Sequence, residues 1–281
     1  QQVLLVAVAA AVSAIPEGLP AVVTVVLALG MRTMAHRNAL IRKLVAVEAL
    51  GSATVICTDK TGTLTKNEMT VRRIVLSGQS IEVSGDGLAP QGEFRLNGQV
   101  LKPTENQSLM LLLRIGILCN DALLSDSNGS YSILGDPTEG ALVVAAGKAG
   151  MVKEKLQTTH PRLDEIPFQS EKLYMATLHP SDGRRVAYVK GAPERLLSLS
   201  KSIVKDGQVV PLTDADAQAM RDSNTAMASE AMRVIAFACA DLPADLDDVE
   251  DVDIRGNLVF VGLAGMDDPP REEAIRASAD M

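Results

Sequence analysis

Tryptophan is absent from the 281 residues, and phenylalanine and tyrosine number only four and three. So few rings leave no basic stripe interleaved with aromatics, and a formal charge of -8 supplies no cationic face against a phosphate backbone, so no nucleic-acid partner is expected. Cysteine is scarce too. Cys57, Cys119 and Cys239 are odd in number and far apart, which argues against a disulfide framework or a zinc site and suits a reducing, cytosolic setting. No repeat period or low-complexity tract stands out. With 47% apolar residues the chain can bury the core of one large domain or two ordinary ones, so disorder is not the default.

Charge is missing above all from residues 3–31, where Glu17 stands alone. A hydrocarbon layer of ~30 Å needs about 20 helical residues, so this run can cross a bilayer with some tilt. It does not resemble a secretory signal, because no basic residue precedes it, it is too long, and Pro16-Glu17-Gly18 interrupts it. Arg32, Arg37, Arg42 and Lys43 follow at once and put the following body on the cytoplasmic side. The chain starts inside an apolar run and stops at Met281 within a helical pattern, so truncation at both ends is expected.

Pro16 and Pro20 each remove a helix hydrogen bond, and Gly18 adds freedom between them, so the helix should unwind there. Carbonyls freed on Val12, Ser13 and Ile15 would be costly in lipid but suit a desolvated cation, with the Glu17 carboxylate beside them. The alternative is a proline-kinked packing helix whose Glu17 is protonated or bonded to a neighbouring helix.

A helical pattern over residues 45–50 stops at Gly51, and the β-branched run over 53–58 predicts a buried parallel strand with Asp59 at its carboxyl end. Lys60-Thr61-Gly62-Thr63 then supplies a tight loop of hydroxyls and N–H groups able to hold phosphate. The seven residues 59–65, Asp-Lys-Thr-Gly-Thr-Leu-Thr, resemble the phosphorylation signature of the P-type ATPases, whose catalytic domain has the haloacid-dehalogenase-like Rossmann fold. That resemblance implies that Asp59 attacks the γ-phosphate of ATP, that Mg²⁺ bridges its carboxylate, the Thr61 carbonyl and the phosphoryl group, and that Thr61 and Thr63 donate to phosphate oxygens. It makes Asp59, Lys60, Thr61 and Thr63 the expected catalytic set. Related phosphatases carry a second acid where Thr61 stands, so a slowly hydrolysed phosphoenzyme is implied. An acidic turn after a strand is the bland alternative.

Over residues 68–266 short strands at 71–76, 175–178 and 186–189 mix with helices at 104–118 and 137–149, predicting an inserted α+β domain with an antiparallel sheet. Four patches resemble the nucleotide-binding domain of the same family. Glu139 in Gly135-Asp136-Pro137-Thr138-Glu139 is the implied contact to the base, and Phe168 in Ile166-Pro167-Phe168 stacks on adenine. By the same resemblance Lys190 in Lys190-Gly191-Ala192-Pro193-Glu194 is expected to project into the nucleotide pocket, and Arg233 in Ala231-Met232-Arg233-Val234 to reach the phosphates. Many relatives carry a basic residue five positions after the stacking ring, where this chain has Leu173 with Lys172 one place earlier, which puts Lys172 in doubt as a ligand. Taken singly, Phe168 could be core, Lys190 a solvated strand end and Glu139 a first-turn acid favoured by the helix dipole. The acidic stretch 241–253 is expected to be a solvated loop.

Residues 259–271 form an apolar strand entering a helix and resemble the second hinge into the phosphorylation domain, with Asp268 near the ribose and phosphates and Arg271 near the hinge. The expected layout is therefore a broken transmembrane helix (1–35), a stalk and the first part of the phosphorylation domain (36–67), the nucleotide-binding domain (68–266) and a truncated re-entry (267–281). The resemblance implies a multi-pass pump in a bacterial plasma membrane, with ATP and Mg²⁺ as cofactors and the lipid bilayer, a transported cation and the remaining pump domains as partners. Pro16-Glu17-Gly18-Leu19-Pro20 looks most like the calcium pumps, with sodium or another cation as alternatives. Two other readings are an anchored phosphatase of the same fold and a membrane-anchored nucleotide-binding module without turnover.

Overall fold

A computed structural model describes residues 2–14, 16, 18–127 and 129–279 and divides into two units, Gln1–Thr58 and Asp59–Met281.

In the first unit the apolar run forms two helices, α1 (Gln2–Ser13) and α2 (Leu19–His36), with the break where the prolines predict it. Pro16 has no N–H for the Val12 carbonyl, whereas Pro20 sits in the first turn of α2, where no N–H is missed. Val12 and Ser13 occupy the last turn of α1, while Ile15 and Glu17 lie outside the described residues. Helix α2 is long and apolar enough to cross a membrane, with a mean hydropathy of 1.5 and no buried residue. The Thr24 and Thr33 hydroxyls bond the Pro20 and Leu29 carbonyls one turn back, as a lipid-facing helix requires of its polar groups. A short α3 (Leu44–Gly51) packs on α2 at Gly30, where a Cβ would sit 3.4 Å from Val47.

The strand expected over 53–58 is not formed: those residues carry no regular structure, and Val55 and Ile56 are 78% and 63% exposed. A β-branched run becomes a parallel strand only when a neighbouring strand pairs with it, and among the described residues no strand does.

The second unit is built on an antiparallel sheet with helices on both faces, as expected. Its strands are β1 (Thr70–Leu76), β2 (Gln79–Val83), β3 (Phe94–Leu96), β4 (Gln99–Leu101), β7 (Asp164–Gln169), β8 (Tyr174–Ser181), β9 (Arg184–Gly191), β12 (Arg233–Leu242) and β13 (Leu258–Asp267), ordered β4-β3-β2-β1-β13-β12-β9-β8-β7. Between them in the chain, β5 (Leu123–Ser127) and β6 (Ser130–Leu134) make a separate hairpin, and β10 (Ser200–Lys205) carries β11 (Gln208–Pro211) against β13. Because β1 and β13 are neighbours, with Thr70 opposite Asp267, the inserted chain leaves and returns at one place.

Side chains alternate across the sheet. On β9, Val186 and Tyr188 face α4 (Gln107–Leu118) and α5 (Pro137–Lys148), while Ala187 and Val189 join the other core layer with α7 (Pro193–Leu199) and α8 (Asp214–Ser229). The smaller helices are α6 (Lys153–Thr159), α9 (Asp251–Ile254) and α10 (Glu272–Ala279). The helix expected from residue 104 starts at Gln107 because the Asn106 side chain accepts the Leu109 N–H and caps it. The acidic stretch is likewise more ordered than a solvated loop: Asp251 opens α9 and accepts bonds from the Tyr174 hydroxyl at 2.7 Å and Lys172 at 2.9 Å.

Candidate active site

The start of α5 organises the nucleotide-side residues. Gly135 has φ of 120°, and a Cβ there would come 3.0 Å from the Ala122 backbone, so glycine is needed. Asp136 then caps the helix by accepting the N–H groups of Thr138 and Glu139 at 2.8 and 3.3 Å, with Pro137 in the first turn. This fixes Thr138 and Glu139 toward two cations. Arg233, the first residue of β12, donates to the Thr138 hydroxyl at 2.6 Å, and Lys190 on β9 meets Glu139 Oε1 at 2.5 Å.

Lys190 shares its face of β9 with Val186 and Tyr188, which is why it projects to α5 rather than to solvent; its side chain is 9% exposed and that of Glu139 19%. Lys190 pairs across the sheet with Met175, and Met175 lies opposite an irregularity in β7 that contains Pro167 and Phe168. Adjacent strands are ~4.8 Å apart, so the Phe168 backbone lies about 10 Å from that of Lys190 along one row. Phe168 is 60% exposed, an open ring rather than a core residue. Lys172 is held in its ion pair with Asp251.

A second group lies by Arg233. A cavity of about 260 Å³ is lined by Lys60, Thr61, Asp136, Thr138, Arg233 and Asp268, among others. The loop at its edge begins at Asp59, which is exposed and accepts the Thr61 N–H at 3.4 Å. Gly62 takes φ of 73° and gives its N–H to the Thr65 hydroxyl, while Thr63 is exposed. The loop is tied to the returning chain: Lys66 N–H bonds Pro269 O, Arg271 N–H bonds Leu64 O, and the Arg271 guanidinium reaches the Thr65 and Gly62 carbonyls. Asp268 takes the Thr65 hydroxyl at 2.5 Å on one oxygen and the Glu68 N–H at 3.1 Å on the other. Its carboxylate therefore fastens residues 65–68 to the returning chain.

An exposed ring, a carboxylate, two cations and a hydroxyl-bearing loop are the mixture that a nucleotide polyphosphate requires. For Mg²⁺ the Asp59 carboxylate and the Thr61 carbonyl are hard oxygen donors of the right kind. Among the described residues no cluster of three or more acidic, His or Cys groups adds to them.

Sequence reasoning missed the support around Glu139. The loop after α4 gives the N–H groups of Asp121 and Ala122 to Glu139 Oε2 at 2.9 and 3.1 Å, and Asn120, fully buried, donates to the Gly116 and Glu139 carbonyls. Lys153 and Arg162 grip the same loop through its carbonyls. Backbone contacts of this kind leave no residue-type pattern to find in the sequence.

The sequence model of the family described as "P-type ATPase, cytoplasmic domain N" matches residues 108–273. Among curated proteins, the chain is 50% identical over 277 residues to the cation-transporting ATPase pma1 of Synechocystis sp., covering 96% of this chain and 30% of that protein. It is 43% identical over 267 residues to calcium-transporting ATPase 1 of Bacillus cereus, covering 95% and 28% of the two chains. Identity is 40% over 271 residues to calcium-transporting ATPase type 2C member 1 of Bos taurus, with 95% and 26% covered. The chain thus spans about 30% of the length of the relatives it matches.

Proposed function

The chain belongs to the P-type ATPases, and from that premise we propose that it is the nucleotide-handling part of a pump that spends ATP to move a cation across a membrane. What supports this reading most is the pairing of Arg233 with Thr138 beside a cavity that also takes in Lys60 and Thr61 of the Asp59 loop. In the proposed reaction an Asp59 carboxylate oxygen forms a bond to the γ-phosphorus of ATP. The bond from that phosphorus to the β–γ bridging oxygen breaks, and ADP leaves with the electron pair. Phe168 and Glu139 hold the base, Lys190 lines the same part of the nucleotide pocket beside Glu139, Arg233 reaches the phosphates, and Thr61 and Thr63 hold the transferred group. Bound Mg²⁺ would offset phosphate charge at the Asp59 carboxylate and the Thr61 carbonyl. Thr61 supplies no acid for water attack, so the phosphoenzyme persists long enough to drive a conformational change.

Calcium is the proposed cargo. Relatives bearing that name match 95% of the chain, and the Val12, Ser13 and Ile15 carbonyls with Glu17 form the hard-oxygen set proposed to hold it. The proposed setting is a multi-pass pump in a bacterial plasma membrane, with this unit on the cytoplasmic side. In the full-length pump, ATP should label the protein in an acid-stable, hydroxylamine-sensitive form only when calcium is supplied, and Asp59→Asn should abolish the label. Labelling that persists in Asp59→Asn would refute the phosphoryl assignment, and labelling triggered by another cation would refute calcium alone.

A further inference from the structure

Lys153 is 5% exposed, yet among the described residues its ammonium meets no carboxylate; its partners are the carbonyls of Asn120 at 2.6 Å and Ala122 at 2.8 Å. Burial, then the nearby Arg162, pulls its pKa below the ordinary lysine value. An apolar side chain would cover the loop without that desolvation cost, so the charge calls for a role.

The role follows from the peptide group it touches. The Asn120 carbonyl receives Lys153 and also Arg162 Nη2 at 2.9 Å. The N–H of the same peptide, on Asp121, ends on Glu139 Oε2 at 2.9 Å. Two cations on the oxygen and a carboxylate on the hydrogen polarise one peptide from both sides, which strengthens each bond in the chain. The neighbouring Ala122 N–H adds a second donor to Oε2, and Lys190 holds Oε1. Glu139 is thereby fixed as a charged acceptor.

We infer that Lys153 and Arg162 are positioning residues that set the base selectivity of the nucleotide site, holding Glu139 ready to accept the amino group of a 6-aminopurine and to reject a purine bearing a carbonyl there. The inference rests on the reading of Glu139 as the base contact. A site built to accept a hydrogen bond discriminates strongly against an analogue that lacks the donor, and a loosened acceptor loses that discrimination first.

The test measures the affinity of the whole 281-residue chain, in detergent, for ATP and for inosine triphosphate, which carries a carbonyl in place of the amino group. Lys153→Met should weaken ATP roughly fivefold to tenfold, about the net worth of the one hydrogen bond to the 6-amino group, and leave inosine triphosphate within about twofold. Lys153→Arg should restore the ratio. Equal loss for both nucleotides, or no loss at all, overturns the inference. Should Lys153→Met fail to fold, Arg162→Gln, which leaves Lys153 on the shared carbonyl, must lower the same ratio. Glu139→Gln separates the two layers: a wild type that discriminates, loses it in Glu139→Gln and keeps it in Lys153→Met sinks this inference alone. A wild type that binds both nucleotides alike sinks the base-contact reading with it.

Discussion

The Lys190 ammonium and the Glu139 carboxylate stand 2.5 Å apart across the gap between β9 and α5, both largely withdrawn from water. Removing one partner of such a pair strands the other charge, which costs more than the pair contributes. Lys190→Met should lower unfolding free energy by about 3 kcal/mol and weaken ATP binding. The double variant Lys190→Met with Glu139→Gln, whose neutral amide oxygen still accepts the Asp121 and Ala122 N–H groups, should recover most of the stability and none of the binding. Urea titrations alongside nucleotide titrations check both halves.

Thr65 works at the hinge. Its hydroxyl accepts the Gly62 N–H and donates to Asp268, so one group closes the phosphate loop onto the returning chain. Thr65→Val keeps the shape and removes both bonds. It should cost about 1 to 2 kcal/mol, because Asp268 and Gly62 each lose a partner in a part-buried setting. Hydrogen exchange at Gly62 should quicken, with the β9 amides unchanged.

His179 gives the second unit an acid-sensitive point. Its Nδ1 faces the carbonyls of His160 and Pro161, so the proton sits there, and Nε2 accepts from the Thr177 hydroxyl. Burial lowers its pKa from 6.5 to about 4, with Arg162 and His160 adding to the effect. Between those values the unfolded chain binds a proton that the folded chain refuses, so stability falls as pH drops through the window, by about 3 kcal/mol at most. His179→Gln should flatten that decline in urea midpoints measured from pH 7 to pH 4.

The sequence was legible wherever side-chain type carried the signal. Short apolar runs marked β1, β8 and β9, Pro137 after Asp136 marked the start of α5, and two prolines marked the break before α2. The run at 53–58 misled because β-branched residues state a preference for a strand but cannot supply its neighbour. Lys172 and Asp251 lie 79 positions apart, and nothing local told that an acidic stretch would turn back onto β8. Lys153 and Arg162 were silent for a further reason: they bond carbonyls, which every residue has.

Gly191 links packing directly to the site. It follows Lys190 and pairs with Tyr174 on β8, and a Cβ built there would lie 2.4 Å from Leu173 O and 2.8 Å from Tyr174 Cα. Both obstacles are backbone atoms, one in the turn before β8 and one at its first residue, so no rotamer change can clear them, and β9 would have to lift from β8. Gly191→Ala should therefore cost about 3 kcal/mol, the upper end of overpacking penalties. Because Ala236 on β12 is also paired with Gly191, and Phe237 with Lys190, the displacement must carry Lys190 away from Glu139. ATP affinity should fall even at temperatures where the variant is fully folded, whereas Gly183→Ala in the exposed turn at the other end of β9 should lower stability and leave ATP affinity intact. Thermal unfolding and ATP titration of both variants decide it: equal binding loss in the two would mean that general instability, and not the β8–β9 contact, sets the position of Lys190.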